Sequence, residues 1–476
     1  MKKTSILAVA ALIVGLCSSS YAASNAQKNV KKNAEKEWTL AVFLNADNNL
    51  DRFGVADQEE MSRVGSNEYL NIVSLIDREN GPAQINYIEK DNIKKLKDLG
   101  ELDMGDYKEF VKFVKFVKEN YPAKHYCFSF WNHGSGWKDK NDAASVLKGI
   151  SYDDSSHNHI STNDLTVALA EANKILGKKI DMLCFDACLM QMVEVAYAAK
   201  DHVDYMVGSE ETEPGKGAPY DDILKTLKKG MSPKEFAISW VNAFGDSYNG
   251  GSQGKAKSTQ SALEMSKLPQ FIDAINGFAK VGMSKDYSRF FRQMNVYTQK
   301  YAYPDNMDLL HFVELMTEPT GLNSLEELKK QNVDEAMKTA IKKLQTAGKQ
   351  LIIANRFTTP EAQESKGIAI FFPTSYYCPW LYQDLAFAKD TLWDDMLEAQ
   401  GGYAVMNRIS EDVKKGELES LAKLVKDAKK DPKNKVYRRV LVQLNYIADN
   451  ERAVPAKSKA EFENLRGKLK SAIATK

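Results

Sequence analysis

The chain has 476 residues, with 65 Lys and Arg against 64 Asp and Glu and a formal net charge of +1. That length fits about three domain lengths, or one large domain with a substantial addition. The near-balance of charge gives no support for attraction to nucleic acid or a membrane over the whole surface.

The first 22 residues read as a signal peptide: Lys2-Lys3 is the charged start, residues 6–17 are apolar, and Ser20-Tyr21-Ala22 fits the small-x-small cleavage pattern. Leu16 stands where lipid attachment at Cys17 wants a small residue, which argues against a lipid anchor. No later run approaches the ~20 apolar residues needed to span a bilayer, so an exported chain without a membrane span is expected. Beyond Cys17 the cysteines are Cys127, Cys184, Cys188 and Cys378, too few for a disulfide scaffold.

Residues 23–36 are polar and predict a loose mature N-terminus. Buried strands follow at 38–44 and 70–76, and the alternation over 84–89 suits an edge strand or hairpin. Residues 106–120 predict a helix, and 126–131 another buried strand. Ser161, Thr162 and Asp164 then open an amphipathic helix that Gly177 closes. A strand at 180–185, a helix at 189–200 and a short strand at 205–207 follow. A further strand is predicted at 261–265, helices to about residue 355, and a fully buried strand at 367–373. Residues 401–476 read as a Lys-rich helical tail, and no repeat at solenoid periods occurs. Strands alternating with helices predict an α/β fold on a mostly parallel sheet. The expected division is a core at 37–265, a second unit at 266–400 contributing helices and a late strand, and the tail.

Strands 126–131 and 180–185 flank one crossover helix, so they run parallel and end on the same edge of the sheet. Ligands of open sheets bind outside the carboxyl ends of the strands. Trp131-Asn132-His133-Gly134 and Phe185-Asp186-Ala187-Cys188 occupy those ends. Cys127 and Cys184 lie inside the apolar runs and read as small buried hydrophobes; Cys188 lies beyond its run. There it opens the predicted helix, whose N-terminal dipole would favour the thiolate. His133 is placed to exchange protons with a leaving amine and with water. The backbone N–H groups of Gly134 and Cys188 could bind an oxyanion. The competing reading is a core cysteine beside a packed strand-end histidine.

An apolar strand ending in His-Gly, then a second ending in Asp-Ala-Cys, resembles the caspase-fold cysteine peptidases, and the clostripain family in particular. Trp38-Thr39-Leu40-Ala41-Val42 leading to Ala46-Asp47-Asn48-Asn49-Leu50 resembles that family's opening strand. Trp131 to Trp137 and Phe185-Asp186-Ala187-Cys188-Leu189 resemble its catalytic blocks, and the similarity runs over roughly residues 37–400. The resemblance implies a three-layer α/β/α sandwich with a C-terminal, largely helical addition. It implies an endopeptidase with Cys188 as nucleophile and His133 as general acid/base, cutting protein or peptide substrates after Lys or Arg. Asp186 is the physical counterpart of that preference, since its carboxylate could pair with a basic side chain; the alternative is that it caps the following helix. Glu210, Glu211 and Glu213, on the loop after the next strand, are the other candidates for the pocket's charge. The resemblance further implies a precursor that cuts itself within 138–149 into two chains that stay associated. Lys148-Gly149 is the favoured site, with Lys138 and Lys140 behind it.

No organic cofactor is required, and no nucleic-acid partner is expected. Calcium dependence occurs among relatives of that family and would call on Asp and Glu oxygens. Asp153-Asp154 with His157 and His159 could form a metal site, but the stretch reads as a loop, and no metal residues are assigned. Two rivals stand beside this reading. One is a Mg²⁺-dependent phosphohydrolase using the strand-end Asp47, Asp77 and Asp186; the other is a non-enzymatic surface binding protein on a degenerate peptidase fold.

Overall fold

The structure is a computed structural model. It describes residues 34–137, 149–317, 333–376, 379–430 and 454–474, with residues 432, 437, 440, 441, 444, 445 and 448 between the last two segments. The predicted signal peptide, most of residues 23–36, Cys378, and Lys138, Lys140 and Lys148 lie outside the described residues.

Thirteen strands are described. They are β1 (Lys36–Ala46), β2 (Leu70–Arg78), β3 (Ala83–Glu89), β4 (Asn92–Gly100), β5 (Ala123–Trp131), β6 (Gly149–Asp153) and β7 (Asn158–Ser161). After these come β8 (Ile180–Asp186), β9 (Val203–Gly208), β10 (Thr259–Glu264), β11 (Asn306–Asp308), β12 (Ile352–Phe357) and β13 (Ala369–Phe371). Nine of them form one sheet in the order β12-β10-β9-β8-β5-β1-β2-β3-β4. The five central strands are parallel, and two antiparallel strands close each edge. This is the mostly parallel α/β sheet the sequence predicts.

Side chains on a strand alternate between the two faces, and the sequence uses both. Phe43, Leu75, Phe128, Phe130, Leu183 and Phe185 pack into one buried layer against helices α2 (Tyr107–Asn120) and α3 (Thr162–Leu176). Leu40, Val42, Leu44, Cys127, Met182 and Cys184 pack into the other against α1 (Asp51–Ser62) and α6 (Pro233–Tyr248); α4 (Val193–Ala199) and α5 (Tyr220–Thr226) lie between α3 and α6 in the chain. Cys127 and Cys184 are free thiols with sulfurs 3.6 Å apart, the buried hydrophobes expected. The α3 caps are also as expected: Ser161 accepts from the Asp164 N–H, and Gly177 takes the left-handed conformation at φ 75°.

Four differences have physical causes. β3 is interior, because the Lys-rich and largely exposed β4 takes the edge; charge on an edge strand discourages pairing with another chain. The late buried strand shrinks to β13, which pairs with β11 in a separate two-stranded ribbon, and the unpredicted β12 holds the other sheet edge. One apolar layer runs continuously from Ala41 to Leu397, so the 37–265 and 266–400 segments share a core. A separate cluster from Ile409 to Ala472 serves the tail. Finally, the helix predicted from residue 189 begins only at Val193.

Candidate active site

β1 and β5 are neighbours, and β1 continues to β2 on one side while β5 continues to β8 on the other. The connections therefore change direction at the β1/β5 seam, where open sheets leave a crevice at the strand ends. Trp131 is in register with Leu44 of β1 and with Asp186 of β8. His133 and Cys188 thus emerge two residues past paired positions on adjacent strands. A Cβ on Gly134 would lie 2.4 Å from the Cys188 carbonyl oxygen, so only glycine lets these backbones approach so closely. The structure brings His133, Gly134, Asp186 and Cys188 to one rim.

His133 is partly buried, and its Nε2 lies 2.7 Å from Asn49 Oδ1. Burial lowers its basicity and the Asp154 carboxylate partly restores it. Cys188 Sγ accepts from the Glu213 N–H at 3.3 Å and approaches the Glu213 carbonyl at 3.9 Å. Burial pushes the thiol up to about 12, and the Glu213 and Glu211 charges push the same way. The expected helix dipole is missing. Leu189 turns to φ 63°, and the N–H groups of Leu189 and Gln191 bond the Glu211 and Ser209 carbonyls instead of starting a helix. In this arrangement Cys188 is a thiol under a strap, residues 209–218.

The same strap covers Asp186. Its Oδ1 accepts from the Ala218 N–H at 2.9 Å. Gly217 sits at φ 61° where a Cβ would come 2.7 Å from that oxygen, a place for glycine on both counts. Asp186 therefore caps no helix. Its carboxyl meets that of Glu213 in the interior, and among the described residues no donor meets Asp186 Oδ2 or Glu213 Oε2. Burial raises Asp186 to about 6 and Glu213 above its ordinary value, where the neighbouring Asp186 charge adds to it. Asp57 of α1 joins them, accepting from the Trp131 indole N–H at 2.5 Å. Burial and the Asp186 charge raise it as well. No Lys or Arg among the described residues forms an ion pair with Asp57, Asp186 or Glu213.

Glu210 and Glu211 do not supply the pocket's charge as expected. Glu210 is fully buried and turned toward Asp308, with burial and that second carboxyl raising it. Glu211 is ion-paired to Lys257 at 2.6 Å and accepts from the Ala302 N–H at 3.0 Å. Both carboxylates anchor the strap, and Glu213 is the one that reaches Asp186. Asp57 was missed, since its partner Trp131 lies 74 residues away and nothing local marks the pair. Gly149 starts β6, where its carbonyl accepts from the Ser135 N–H.

The phosphohydrolase set also separates. Asp77 ends in register with Asn45 of β1, three strands from Asp186, which at 4.7–4.9 Å per strand is about 14 Å. Carboxylates so far apart cannot share an ion bound at about 2.1 Å. Among the described residues no group of three or more His, Cys, Asp or Glu is arranged to hold a metal. His157 sits on an exposed turn at φ 54°, and His159 stacks on Tyr152.

Asp77 is buried, its Oδ2 has no donor among the described residues, and burial with the charges of Glu101, Asp153 and Asp47 lifts it to about 8. A carboxyl raised in the folded state holds its proton longer there than in the unfolded chain, so stability falls as pH rises from about 4 to 8. Asp77→Asn is expected to raise Tm by a few degrees at pH 9 and leave it unchanged at pH 4; thermal scans at both pH values check this.

The profile of the Clostripain family (Peptidase C11) matches residues 42–399. Clostripain of Hathewaya histolytica is 29% identical over 231 residues, which are 42% of this chain and 44% of that protein. The chain thus spans less than half the length of that curated relative. Among solved structures, an inactive zymogen C11 protease from Parabacteroides distasonis aligns with a TM-score of 0.57 at 20% identity, over 75% of this chain and 99% of that one. A secreted C11 cysteine protease from Bacteroides thetaiotaomicron, in complex with an irreversible peptide inhibitor, aligns with a TM-score of 0.55 at 18% identity, over 76% and 99%. These structures share the fold. On the extent of the profile match, the chain belongs to the clostripain family.

Proposed function

We propose that this chain is an exported cysteine endopeptidase that cuts after Lys or Arg and is made as a self-cleaving precursor. Cys188 Sγ attacks the scissile carbonyl while His133 takes the thiol proton and passes it to the leaving amine. Water then hydrolyses the thioacyl intermediate with His133 as base. The N–H groups of Gly134 and Cys188 are the candidate oxyanion donors.

The observation that carries the specificity is the buried carboxyl group of Asp186, with Glu213 and Asp57 beside it and no basic partner among the described residues. Buried charges are stable only when paired, and a Lys or Arg side chain of the substrate supplies the partner. A neutral or acidic side chain leaves the cost in place. The closed strap supports the precursor reading: a thiol that burial raises to about 12, against the pull of the Glu213 N–H, is a poor nucleophile. Self-cleavage at Lys148-Gly149, within 138–149, would sever the connection between His133 and β6, leaving two chains joined by the core. The relative in fold from Parabacteroides distasonis is an inactive zymogen, which supports the same reading. Export rests on residues 1–22 and on the relative described as secreted; among the described residues no helix is long and apolar enough to cross a membrane. Calcium is kept as an additive to be tested, with no residues assigned.

Fluorogenic peptides with Lys, Arg, Leu or Glu before the scissile bond test the reading. Hydrolysis of the Lys and Arg peptides at least about 100-fold above the others is expected; equal rates across the panel would remove the pocket assignment.

A further inference from the structure

Asn49 lies three residues beyond β1, at the β1/β5 seam, with its Oδ1 2.7 Å from His133 Nε2. A carboxamide oxygen can only accept, so Nε2 carries the hydrogen and the lone pair of the neutral ring sits on Nδ1. Nδ1 has no hydrogen-bond partner among the described residues. Asn49 is exposed, yet its position is set from beneath. Asn48 Nδ2 donates to the carbonyls of Asn45 at 3.5 Å and Tyr152 at 3.0 Å, and Asn48 Oδ1 accepts from the Leu50 N–H. Asn132 Nδ2 donates to the same two carbonyls, at 2.7 and 2.9 Å, and Asn132 Oδ1 accepts from the Tyr152 N–H. The residues just before Asn49 and just before His133 are therefore seated on one pair of carbonyls. That common seat registers the two side chains against each other.

We propose that Asn49 is a positioning residue that fixes His133 as the Nε2–H tautomer and leaves Nδ1 as its working nitrogen. The proposal rests on the reading of His133 as the acid/base group. In acylation Nδ1 accepts the Cys188 thiol proton as the Sγ–C bond forms, then delivers it to the amine nitrogen as the C–N bond breaks. In deacylation it accepts a proton from the attacking water and returns it to the departing sulfur. Through both steps Nε2–H stays on Asn49, so the ring need not turn over between accepting and donating. The charges around this ring are few. Asp154 acts on it from the β6–β7 turn, Asp47 is engaged by the Ser155 N–H, and Asp51 is held by Arg78.

The test uses the processed full chain with a Lys-containing fluorogenic peptide, comparing Asn49→Ala, Asn49→Asp and His133→Ala. Asn49→Ala is expected to lower kcat by about 10- to 100-fold with KM within twofold and Tm unchanged. Asn49→Asp keeps an acceptor and adds a charge beside the ring. It is expected to recover part of kcat while moving the acid limb of the kcat/KM profile to higher pH. Asn49→Ala within twofold of wild type, or Asn49→Asp with an unmoved acid limb, would overturn the proposal while an inactive His133→Ala keeps the acid/base reading. An active His133→Ala would overturn that reading and the proposal with it.

Discussion

Cys188→Ala is expected to lower kcat/KM on a basic peptide by at least about 10⁴-fold and to leave the chain as one band on a denaturing gel. The reason is chemical rather than structural. Cys188 is partly buried with its sulfur at the rim, and among the described residues its sulfur's hydrogen bonds go to the Glu213 backbone, so alanine removes the proposed nucleophile without opening the core. Cys127→Ala and Cys184→Ala provide the contrast. Their sulfurs lie in the apolar layer between β5, β8 and α6, so these changes cost packing and Tm but spare catalysis. A Cys188→Ala chain that still matured into two bands would place the cutting agent elsewhere. Parallel activity assays and gels read both outcomes.

The second large effect belongs to Asp186, and its two readouts move in opposite directions. Asp186→Asn keeps an oxygen for the Ala218 N–H and places an N–H₂ donor toward Glu213, so the fold is preserved. If Asp186 pairs with the substrate's cation as proposed, its removal should cost about 2–4 kcal/mol, or about 30- to 1000-fold in kcat/KM for Lys and Arg peptides. Glu213 and Asp57 remain to moderate the loss. Stability should rise instead. Asp186 titrates at about 6 in the folded chain against 3.8 as its ordinary value. The folded state therefore binds the extra proton, and stability falls as pH rises through that window, the penalty being complete above about pH 6. Asparagine removes the penalty, so Tm of Asp186→Asn is expected to exceed wild type at pH 8 and to match it at pH 4. Loss of both activity and Tm at pH 8 would mean that Asp186 is a structural residue.

Much of this arrangement is legible in the residues. The apolar runs ending at Trp131 and Phe185, with a capped amphipathic helix between them, dictate parallel neighbours, and parallel neighbours dictate a shared rim. What escaped the sequence depends on tertiary partners. β4 carries Lys94, Lys95 and Lys97 in a pattern that no buried strand shows, because its outer edge faces solvent. Leu189, Met190 and Met192 have helical spacing, yet the Leu189 and Gln191 N–H groups bond the Glu211 and Ser209 carbonyls of the strap, and Met192 bridges to Ala369 of β13. Three glutamates within four residues look equivalent on paper, and only the fold sends Glu210 to Asp308, Glu211 to Lys257 and Glu213 to Asp186. Asn49 had a usable signal, since it follows the strand beside β5 at the point where the sheet's connections reverse. Asp57 had none.

The most direct measurement is covalent. Processed protein is treated with a peptide chloromethyl ketone ending in Lys, or with one ending in Glu, and the modified cysteine is located by mass spectrometry of the digest. The Lys reagent should modify Cys188 alone and abolish activity, and the Glu reagent should leave Cys188 untouched on the same timescale. Modification of Cys127, Cys184 or Cys378 in its place, or equal reaction of both reagents at Cys188, would contradict a sulfur at the sheet's rim beside a pocket made for a cation.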